Sequence, residues 1–204
     1  MGGEFWDQRF NTSEFVYGIT PNAFLAGILE GEPPGRLLLP AEGEGRNAIH
    51  AARLGWQVEA VDFSTVGRDK ALALARQAGV SIDYQIGDLT VWTPPPAIYE
   101  LVGLIYLHLP SAVRQQVHRR LAAAVKPGGS LILEAFSQAQ LGNSSGGPQD
   151  LDLLYTVEDL REDFSGMAIR SLVETTVSLD EGAGHQGRAQ VIRMIADQPR
   201  EPVD

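Results

Sequence analysis

Short apolar runs alternate regularly with amphipathic segments between residues 21 and 136, and this alternation most constrains the fold. The apolar runs have the length of strands that are buried on both faces, and segments with helical spacing precede the first run and follow the first, second and fourth. Strands that alternate with helices at this pitch form a parallel sheet with right-handed crossovers. The predicted strands are 36–41, 57–61, 81–86, 101–107 and 131–136, and the predicted helices are 21–31, 47–54, 70–78 and 111–125.

The last fifth of the chain departs from this alternation. A helix is predicted over 156–164, followed by two strands over 168–178 and 188–196. Parallel strands need a crossover of about a dozen residues or more, so the short connection at 180–187 permits only an antiparallel pair. The sequence therefore predicts an α/β fold of the doubly wound, Rossmann-like class. Its seven-stranded sheet is mostly parallel, ends in a C-terminal antiparallel hairpin and carries helices on both faces.

Length and composition narrow the possible functions. With 204 residues and no linker or repeat, the chain is predicted to form one domain over 1–204. A formal charge of −10 disfavours binding to nucleic acid, because nucleic-acid binders present basic patches to the phosphates. The absence of cysteine excludes disulfides and thiol nucleophiles, and no apolar stretch is long enough to span a membrane. We therefore expect a cytoplasmic protein that binds neither membrane nor nucleic acid.

A glycine turn follows the first predicted strand and opens a helix. The segment from Gly43 to Ala48 matches the pattern Gly-x-Gly-x-x-Ala, in which helix N–H groups face a ligand. Asp62 ends the second strand, where a carboxylate can accept hydrogen bonds from both hydroxyls of a ribose. These two features suit either a nicotinamide dinucleotide or S-adenosylmethionine. A structural turn and a helix cap are the simpler alternatives.

Two later features separate these ligands. Asp88 follows the third strand, where its carboxylate can accept a hydrogen bond from an adenine amino group. The segment from Lys126 to Gly129 forms a turn into the fifth strand. An oxidoreductase that uses a nicotinamide cofactor would leave both features and the terminal hairpin unexplained.

Taken together, these motifs resemble a class I S-adenosylmethionine-dependent methyltransferase, of the branch that includes tellurite-resistance methyltransferases and, more distantly, thiopurine methyltransferases. The resemblance covers nearly the whole chain. It is carried by Trp6 to Phe10, AEGEGRNA from Ala41, AVDFS around Asp62, Gly87-Asp88-Leu89, His108-Leu109-Pro110, Lys126 to Gly129, Gly146-Gly147-Pro148, and Glu181-Gly182 with His185.

The resemblance implies S-adenosylmethionine as the cofactor and assigns parts of the domain. Residues 1–32 would cover the cofactor, 33–136 would bind it, and 137–197 would form the substrate-side loop and the hairpin. The implied cofactor contacts are Trp6, Tyr17, Ala41, Glu42, Gly43, Gly45, Arg46, Asn47, Asp62, Phe63, Ser64, Gly87, Asp88, Leu89 and Ile105. Leu39 replaces the family's usual acidic residue in the first strand, and Ala41 replaces its first glycine. Glu42 is then the nearest carboxylate to the amino-acid end of the cofactor.

The acceptor is expected to be a small molecule. The segment Tyr106 to Pro110 lacks the Asn/Asp-Pro-Pro-aromatic motif that holds a planar exocyclic amine, and the absence of cysteine excludes covalent attack on cytosine. A thiol or a selenium or tellurium species is the candidate acceptor. Its pocket is predicted over the carboxyl ends of strands four and five, beside the 138–148 loop and the N-terminal aromatic residues.

Histidines are the candidate groups for acting on the acceptor. His108 is predicted as a catalytic or substrate-contacting residue because it lies just past the fourth strand, with a structural role as the alternative. Tyr106 and His185 are the other predicted substrate contacts. The four histidines are too widely spaced to predict a metal site. A non-catalytic module that only binds S-adenosylmethionine remains the main alternative to an enzyme.

Overall fold

The structure, a computed structural model, describes residues 2–200, so the two ends of the predicted domain lie outside it. Within these residues, seven strands form one sheet in the order β3-β2-β1-β4-β5-β7-β6. The strands are β1 Arg36–Pro40, β2 Gln57–Asp62, β3 Asp83–Ile86, β4 Tyr99–Ile105, β5 Val125–Phe136, β6 Ala168–Glu181 and β7 His185–Asp197. The helices are α1 Gly3–Phe10, α2 Ala23–Gly31, α3 Arg46–Arg53, α4 Thr65–Ala78, α5 Ser111–Ala123 and α6 Val157–Asp163.

Strands β1 to β5 are parallel, and β7 runs antiparallel to both β5 and β6. This arrangement confirms the predicted sheet with its terminal hairpin. The hairpin is longer than predicted, since β6 and β7 are separated only by residues 182–184. No helix among residues 2–200 is both long and apolar enough to cross a membrane.

The continuous apolar runs are explained by helices on both faces of the sheet. Leu37 and Leu39 point to one face and pack in the core that includes Leu25 of α2. Leu38 points to the opposite face, into the core that includes Leu121 of α5. Each fully buried leucine contributes about 1.5–3 kcal/mol, and a strand covered on both faces needs apolar residues at successive positions.

Helix α4 begins five residues before its predicted start at Lys70. The Ser64 hydroxyl accepts a hydrogen bond from the Gly67 N–H at 2.9 Å and thereby caps the helix. A side chain at Gly67 would come within 2.9 Å of the Gly43 carbonyl oxygen. Gly67 therefore lowers the local helix propensity but allows the glycine turn to approach α4 closely.

The predicted turn before the fifth strand lies inside β5. Tyr99 of β4 pairs with Val125, whereas Leu101 already pairs with Ser130, so β5 bulges between these two positions. A side chain at Gly129 would come within 2.8 Å of the Glu100 carbonyl oxygen. The bulge thus requires glycine where the backbone of β4 passes closest.

Candidate active site

The glycine turn between β1 and α3 is held by the neighbouring strands. The Gly43 N–H donates to Asp62 Oδ2 at 2.9 Å, and the Tyr84 hydroxyl donates to the Gly43 carbonyl oxygen at 2.5 Å. Ala41 has a φ of +58° in the position where the resembling family has glycine. A left-handed conformation costs a residue other than glycine about 1–2 kcal/mol, so the surrounding turn must enforce it.

Gly45 serves helix packing as well as the turn. It precedes α3 with a φ of +91°, and a side chain there would lie within 2.9 Å of Ala71 Cα in α4. The close contact between α3 and α4 therefore needs glycine at this position. It also sets the start of α3 beside the carboxyl ends of β1 and β2, the edge of the sheet at which doubly wound folds bind their ligands.

Asp62 is a buried carboxylate at the carboxyl end of β2. It accepts hydrogen bonds from the N–H groups of Gly43 and Ser64, one on each oxygen, both at 2.9 Å. Burial raises the pKa of Asp62, while these backbone bonds oppose the rise. Each carboxylate oxygen can accept two hydrogen bonds, so each retains one acceptor site. Two ribose hydroxyls fit this remaining capacity.

Asp88 provides a second acceptor, next to the end of β3. Its Oδ1 accepts from the Thr90 N–H at 2.8 Å and from the Thr90 hydroxyl at 2.7 Å. Its Oδ2 makes no hydrogen bond to any of residues 2–200, and Leu89 beside it is buried. The half-buried Phe63 follows Asp62. A ribose acceptor, a free carboxylate oxygen and apolar side chains are the groups that a nucleoside needs, so these residues fit S-adenosylmethionine.

Three predicted cofactor contacts instead bond to the protein itself. Glu42 Oε1 accepts from the Ala48 N–H at 2.7 Å, and burial raises the Glu42 pKa to about 7. The Asn47 side chain accepts from the Asn22 N–H at 2.9 Å. Arg46 donates to the carbonyl oxygens of Tyr17 and Thr20 and to the Glu181 carboxylate. For these three residues, contact with the cofactor stays a prediction.

The N-terminal segment packs over the glycine turn. The Phe10 ring lies against Gly43 and Gly67, and the Trp6 ring stacks on Phe10 with 5.5 Å between centroids. Asp7 fastens the segment to the start of α4, since its carboxylate accepts from Ser64 Oγ at 2.6 Å and from the Val66 N–H at 3.1 Å. The hydrogen bond from Ser64 lowers the pKa of Asp7. Asp7 thus anchors the aromatic residues that cover the turn.

The end of the N-terminal segment contacts the hairpin turn between β6 and β7. The Gly184 N–H donates to the Val16 carbonyl oxygen at 2.9 Å. Gly182 has a φ of +68°, and a side chain there would overlap the backbone of Gly18. The cover over the glycine turn is therefore completed by residues from opposite ends of the described chain.

A buried polar network joins these elements at the carboxyl ends of β4 and β5. Glu134 Oε1 accepts from Asn22 Nδ2 at 2.6 Å and from the Tyr106 hydroxyl at 2.8 Å. Glu134 Oε2 pairs with Arg193 Nε at 2.5 Å. Tyr106 directly follows β4 with a φ of +54°. Burial followed by the nearby Glu134 charge raises the pKa of Tyr106, so its hydroxyl stays protonated.

Glu134 was not among the predicted site residues. A signal was present, because Glu134 is a lone carboxylate near the carboxyl end of the otherwise apolar run from Leu131 to Phe136. Such a residue in a strand buried on both faces needs partners. Its partners come from distant segments, which the sequence order alone does not reveal.

His108 is occupied at both ring nitrogens. Nδ1 lies 2.6 Å from the Leu153 carbonyl oxygen and therefore carries the proton, while Nε2 accepts from the Phe136 N–H at 3.4 Å. The ring stacks on Phe136, and burial lowers the pKa of His108 to about 4. In this arrangement His108 connects β5 to the segment before α6.

His185 has a different environment at the start of β7. Its Nδ1 lies 3.1 Å from Glu181 Oε2. The ring centroid is 4.5 Å from those of both Tyr17 and Tyr106 and 5.3 Å from that of Phe136. The structure thus brings together the predicted substrate residues Tyr106 and His185 with Tyr17 of the N-terminal segment, while Ile105 lies buried at the end of β4.

No group of three or more histidine, aspartate or glutamate residues within 2–200 could hold a metal ion. A cleft of about 560 Å³, lined by residues including Arg36, Trp56 and Tyr99, lies at the amino ends of the strands, on the edge opposite the glycine turn.

Comparison with known proteins bears on what this site binds. Residues 40–129 match the methyltransferase domain family. The matched segment runs from the end of β1 through the bulge of β5 and so contains the glycine turn, Asp62 and Asp88. No curated protein sequence matches the chain significantly.

Solved structures establish the fold. A protein studied for the conversion of a disulfide bond into a thioacetal group during echinomycin biosynthesis is 17% identical, with a TM-score of 0.81 over 98% of this chain and 94% of that chain. TehB from Haemophilus influenzae is 13% identical, with a TM-score of 0.70 over 96% and 66%. A SAM-dependent methyltransferase from Methanosarcina mazei is 14% identical, with a TM-score of 0.68 over 85% and 98%. These structural similarities show the fold, and the match over residues 40–129 supports a methyltransferase domain in this part of the chain.

Proposed function

We propose that this protein transfers a methyl group from S-adenosylmethionine to a small-molecule acceptor. The observation that carries the proposal is the pair of carboxylates at the ends of adjacent strands. Asp62 and Asp88 each retain acceptor capacity beside the glycine turn, in the segment that matches the methyltransferase domain. Ribose hydroxyls and the adenine amino group would occupy these acceptors.

When bound, S-adenosylmethionine supplies an activated methyl group on a sulfonium. The contribution of the chain is then to hold the acceptor in line with that group, at about 3–3.5 Å, and to exclude water. Trp6 and Phe10 cover the glycine turn, and Val16 to Gly18 contact the hairpin turn, so both can limit access of water. A site enclosed in this way suits an acceptor of small size.

A thiol or a selenium or tellurium species is the proposed acceptor class. Support comes from the resemblance to the tellurite-resistance branch and from the structural similarity to TehB. The neighbour from echinomycin biosynthesis was studied for a reaction at sulfur. The net charge of −10 disfavours nucleic acid as the acceptor.

Labelled S-adenosylmethionine, incubated with a panel of thiols, selenite, tellurite, amines and phenols, tests this function. Calorimetry with S-adenosylhomocysteine and with NAD tests the pocket separately. We expect binding of S-adenosylhomocysteine, no binding of NAD, and transfer of label to at least one soft nucleophile. Binding of NAD alone would identify a different cofactor.

A non-catalytic module is the second candidate, and one observation favours it. Leu39 is fully buried in the apolar core, at the position where the resembling family has an acidic residue. Normal binding of S-adenosylhomocysteine without transfer to any acceptor on the panel would support this candidate against the enzyme.

His108→Gln is expected to change turnover by no more than about twofold. Both His108 nitrogens already bond to the backbone, and a base with a pKa of about 4 accepts protons weakly at neutral pH. The substitution should instead lower the free energy of unfolding, by about 1 kcal/mol for each broken hydrogen bond, as measured by urea unfolding. A fall in turnover of about 10²-fold with unchanged stability would instead place His108 against the acceptor.

A further inference from the structure

Glu181 and His185 form a carboxylate–imidazole pair across the hairpin turn. Glu181 Oε2 lies 3.1 Å from His185 Nδ1 and also accepts from the Arg46 guanidinium at 2.9 Å. Glu181 Oε1 accepts from Asn22 Nδ2 at 3.3 Å. Both members of the pair are buried, since Glu181 is 8% exposed and His185 is 5% exposed. The carboxylate is thus fixed from three directions and in turn fixes the imidazole ring.

These partners determine the protonation of the pair. Burial alone would raise the pKa of Glu181, but the hydrogen bond with His185 and the charge of Arg46 hold it below its usual range. Burial lowers the pKa of His185, against the opposing effect of Glu181. At neutral pH the carboxylate is therefore ionised and the imidazole is neutral. Since the carboxylate can only accept, Nδ1 carries the ring proton and Nε2 carries the lone pair.

His185 Nε2 is available to a ligand, whereas the other enclosed histidines are not. No group among residues 2–200 makes a hydrogen bond to this atom. His108 uses both nitrogens in backbone bonds, and His118 is completely buried between Tyr155 and Phe164. Arg46, which binds Glu181, directly follows Gly45 of the glycine turn. The pair is therefore tied to the start of α3.

We propose that His185, oriented by Glu181, is the catalytic base that removes a proton from the methyl acceptor. This inference rests on the proposed function and narrows its acceptor class. A base is needed for a nucleophile that arrives protonated, such as an alkyl thiol or a phenol, and is superfluous for one that arrives as an anion. Within the proposed class, the acceptor is thus a thiol that arrives protonated rather than a preformed oxyanion of selenium or tellurium or a strongly acidic selenol.

The step balances in atoms and charge. The acceptor gives its proton to His185 Nε2, and its freed electron pair forms the bond to the methyl carbon. The bound donor would supply the methyl group and keep the electrons of the cleaved carbon–sulfur bond, so the positive charge that it would lose equals the charge gained by the imidazole. The ionised Glu181 stabilises the resulting imidazolium, which later releases its proton to solvent.

Several other charged or titratable groups surround His185 and affect its pKa. Arg46 and Arg9 oppose its protonation, while Glu181 favours it. The groups around it are Glu181 of β6, Arg46 of α3, Tyr17 and Arg9 of the N-terminal segment, and Tyr106 after β4, whose hydroxyl donates to Glu134 of β5. In the wild type, turnover should fall as the pH drops below the His185 pKa, which lies under its usual value.

The kinetic test compares His185→Gln, Glu181→Gln and a control, Gln186→Ala, which changes the exposed residue next to His185 in β7. With an alkyl thiol as acceptor, His185→Gln should lower kcat by about 10²-fold or more and remove the acidic limb of the pH profile. Glu181→Gln should lower kcat by about tenfold, because the amide oxygen can still accept from Nδ1 but the charge that stabilises the imidazolium is lost. Gln186→Ala should match the wild type, and both Gln186→Ala and His185→Gln should keep their affinity for S-adenosylhomocysteine.

A second experiment measures kcat of the wild type and of His185→Gln with thiols of increasing acidity, from 2-mercaptoethanol to pentafluorothiophenol. The His185→Gln defect should shrink as the thiol becomes more acidic, because the anion then needs no base. A defect of equal size for every thiol, or turnover within about twofold of wild type, overturns the proposal. The proposed function fails separately, if the wild type neither binds S-adenosylhomocysteine nor methylates any acceptor.

Nitrogen-15 NMR of the wild-type imidazole provides a readout that needs no variant. At pH 7.5 the ring of His185 should be neutral with its proton on Nδ1. Adding the thiol acceptor with S-adenosylhomocysteine should shift Nε2 more than Nδ1. A doubly protonated ring, or a proton on Nε2, contradicts a base at this position.

Discussion

Replacing Arg46 with methionine is expected to lower the free energy of unfolding by about 3–5 kcal/mol. The ion pair of Arg46 with Glu181 is buried, with side-chain exposures of 7% and 10%. Methionine would leave the Glu181 charge with fewer partners in a buried site, and the carbonyl oxygens of Tyr17 and Thr20 would lose a donor. Urea unfolding followed by circular dichroism measures the change.

Arg68→Met is the matched control, because Arg68 also pairs with an acidic residue. Its partner is Asp69, and the side-chain exposures of this pair are 34% and 68%. A surface pair of this kind contributes about 0–1 kcal/mol, so the control should remain close to the wild type. If the free energy of unfolding falls by the same amount in the two variants, burial does not determine how much the Arg46–Glu181 pair stabilises the protein.

Asp62→Ala should weaken binding of S-adenosylhomocysteine by a factor of about 5–150. The factor corresponds to about 1–3 kcal/mol, the cost of removing a buried acceptor from its donors. The retained acceptor site on each oxygen of Asp62 is the basis of this expectation. Calorimetry on the purified protein gives the affinity directly.

Tyr84→Phe controls for loosening of the glycine turn. The Tyr84 hydroxyl holds the Gly43 carbonyl oxygen, whereas Asp62 holds the Gly43 N–H. Both variants therefore remove one tether from the turn, but only Asp62→Ala removes acceptors from the pocket. If the two variants lose the same affinity, the Asp62 carboxylate acts through the turn and not on the ligand.

Much of the fold could be predicted because local signals and tertiary structure agree. The apolar run at Leu37 to Leu39 predicted a strand buried on both faces, and the cores on each side confirm it. The short connection before β7 predicted an antiparallel pair for a purely geometric reason. The start of α4 was predicted too late in the chain, since its first turn is stabilised by Asp7 from a distant segment as well as by the local cap at Ser64.

The positions of site residues could be predicted only where the place of a residue in its motif fixes the direction of its side chain. Asp62 and Asp88 follow strands whose ends meet at one edge of the sheet, so their proximity followed from the topology. The directions of the Glu42 and Arg46 side chains did not follow from the motif, because they depend on hydrogen-bond partners such as Ala48 and Glu181. Side-chain direction within a turn is set by tertiary hydrogen bonds, which sequence spacing does not encode.

The contact between Val16 to Gly18 and the hairpin turn also has a consequence for biosynthesis. A chain that emerges from the ribosome folds from its N-terminal end first, yet residue 16 finds its partner only after residue 184 has been made. Until then Val16 to Gly18 lack their contact with the hairpin turn, even if β1 to β5 have already paired. Cofactor binding during translation should therefore be weak until the hairpin has left the ribosomal tunnel, and a ribosome stalled before residue 184 would carry a chain with an open pocket.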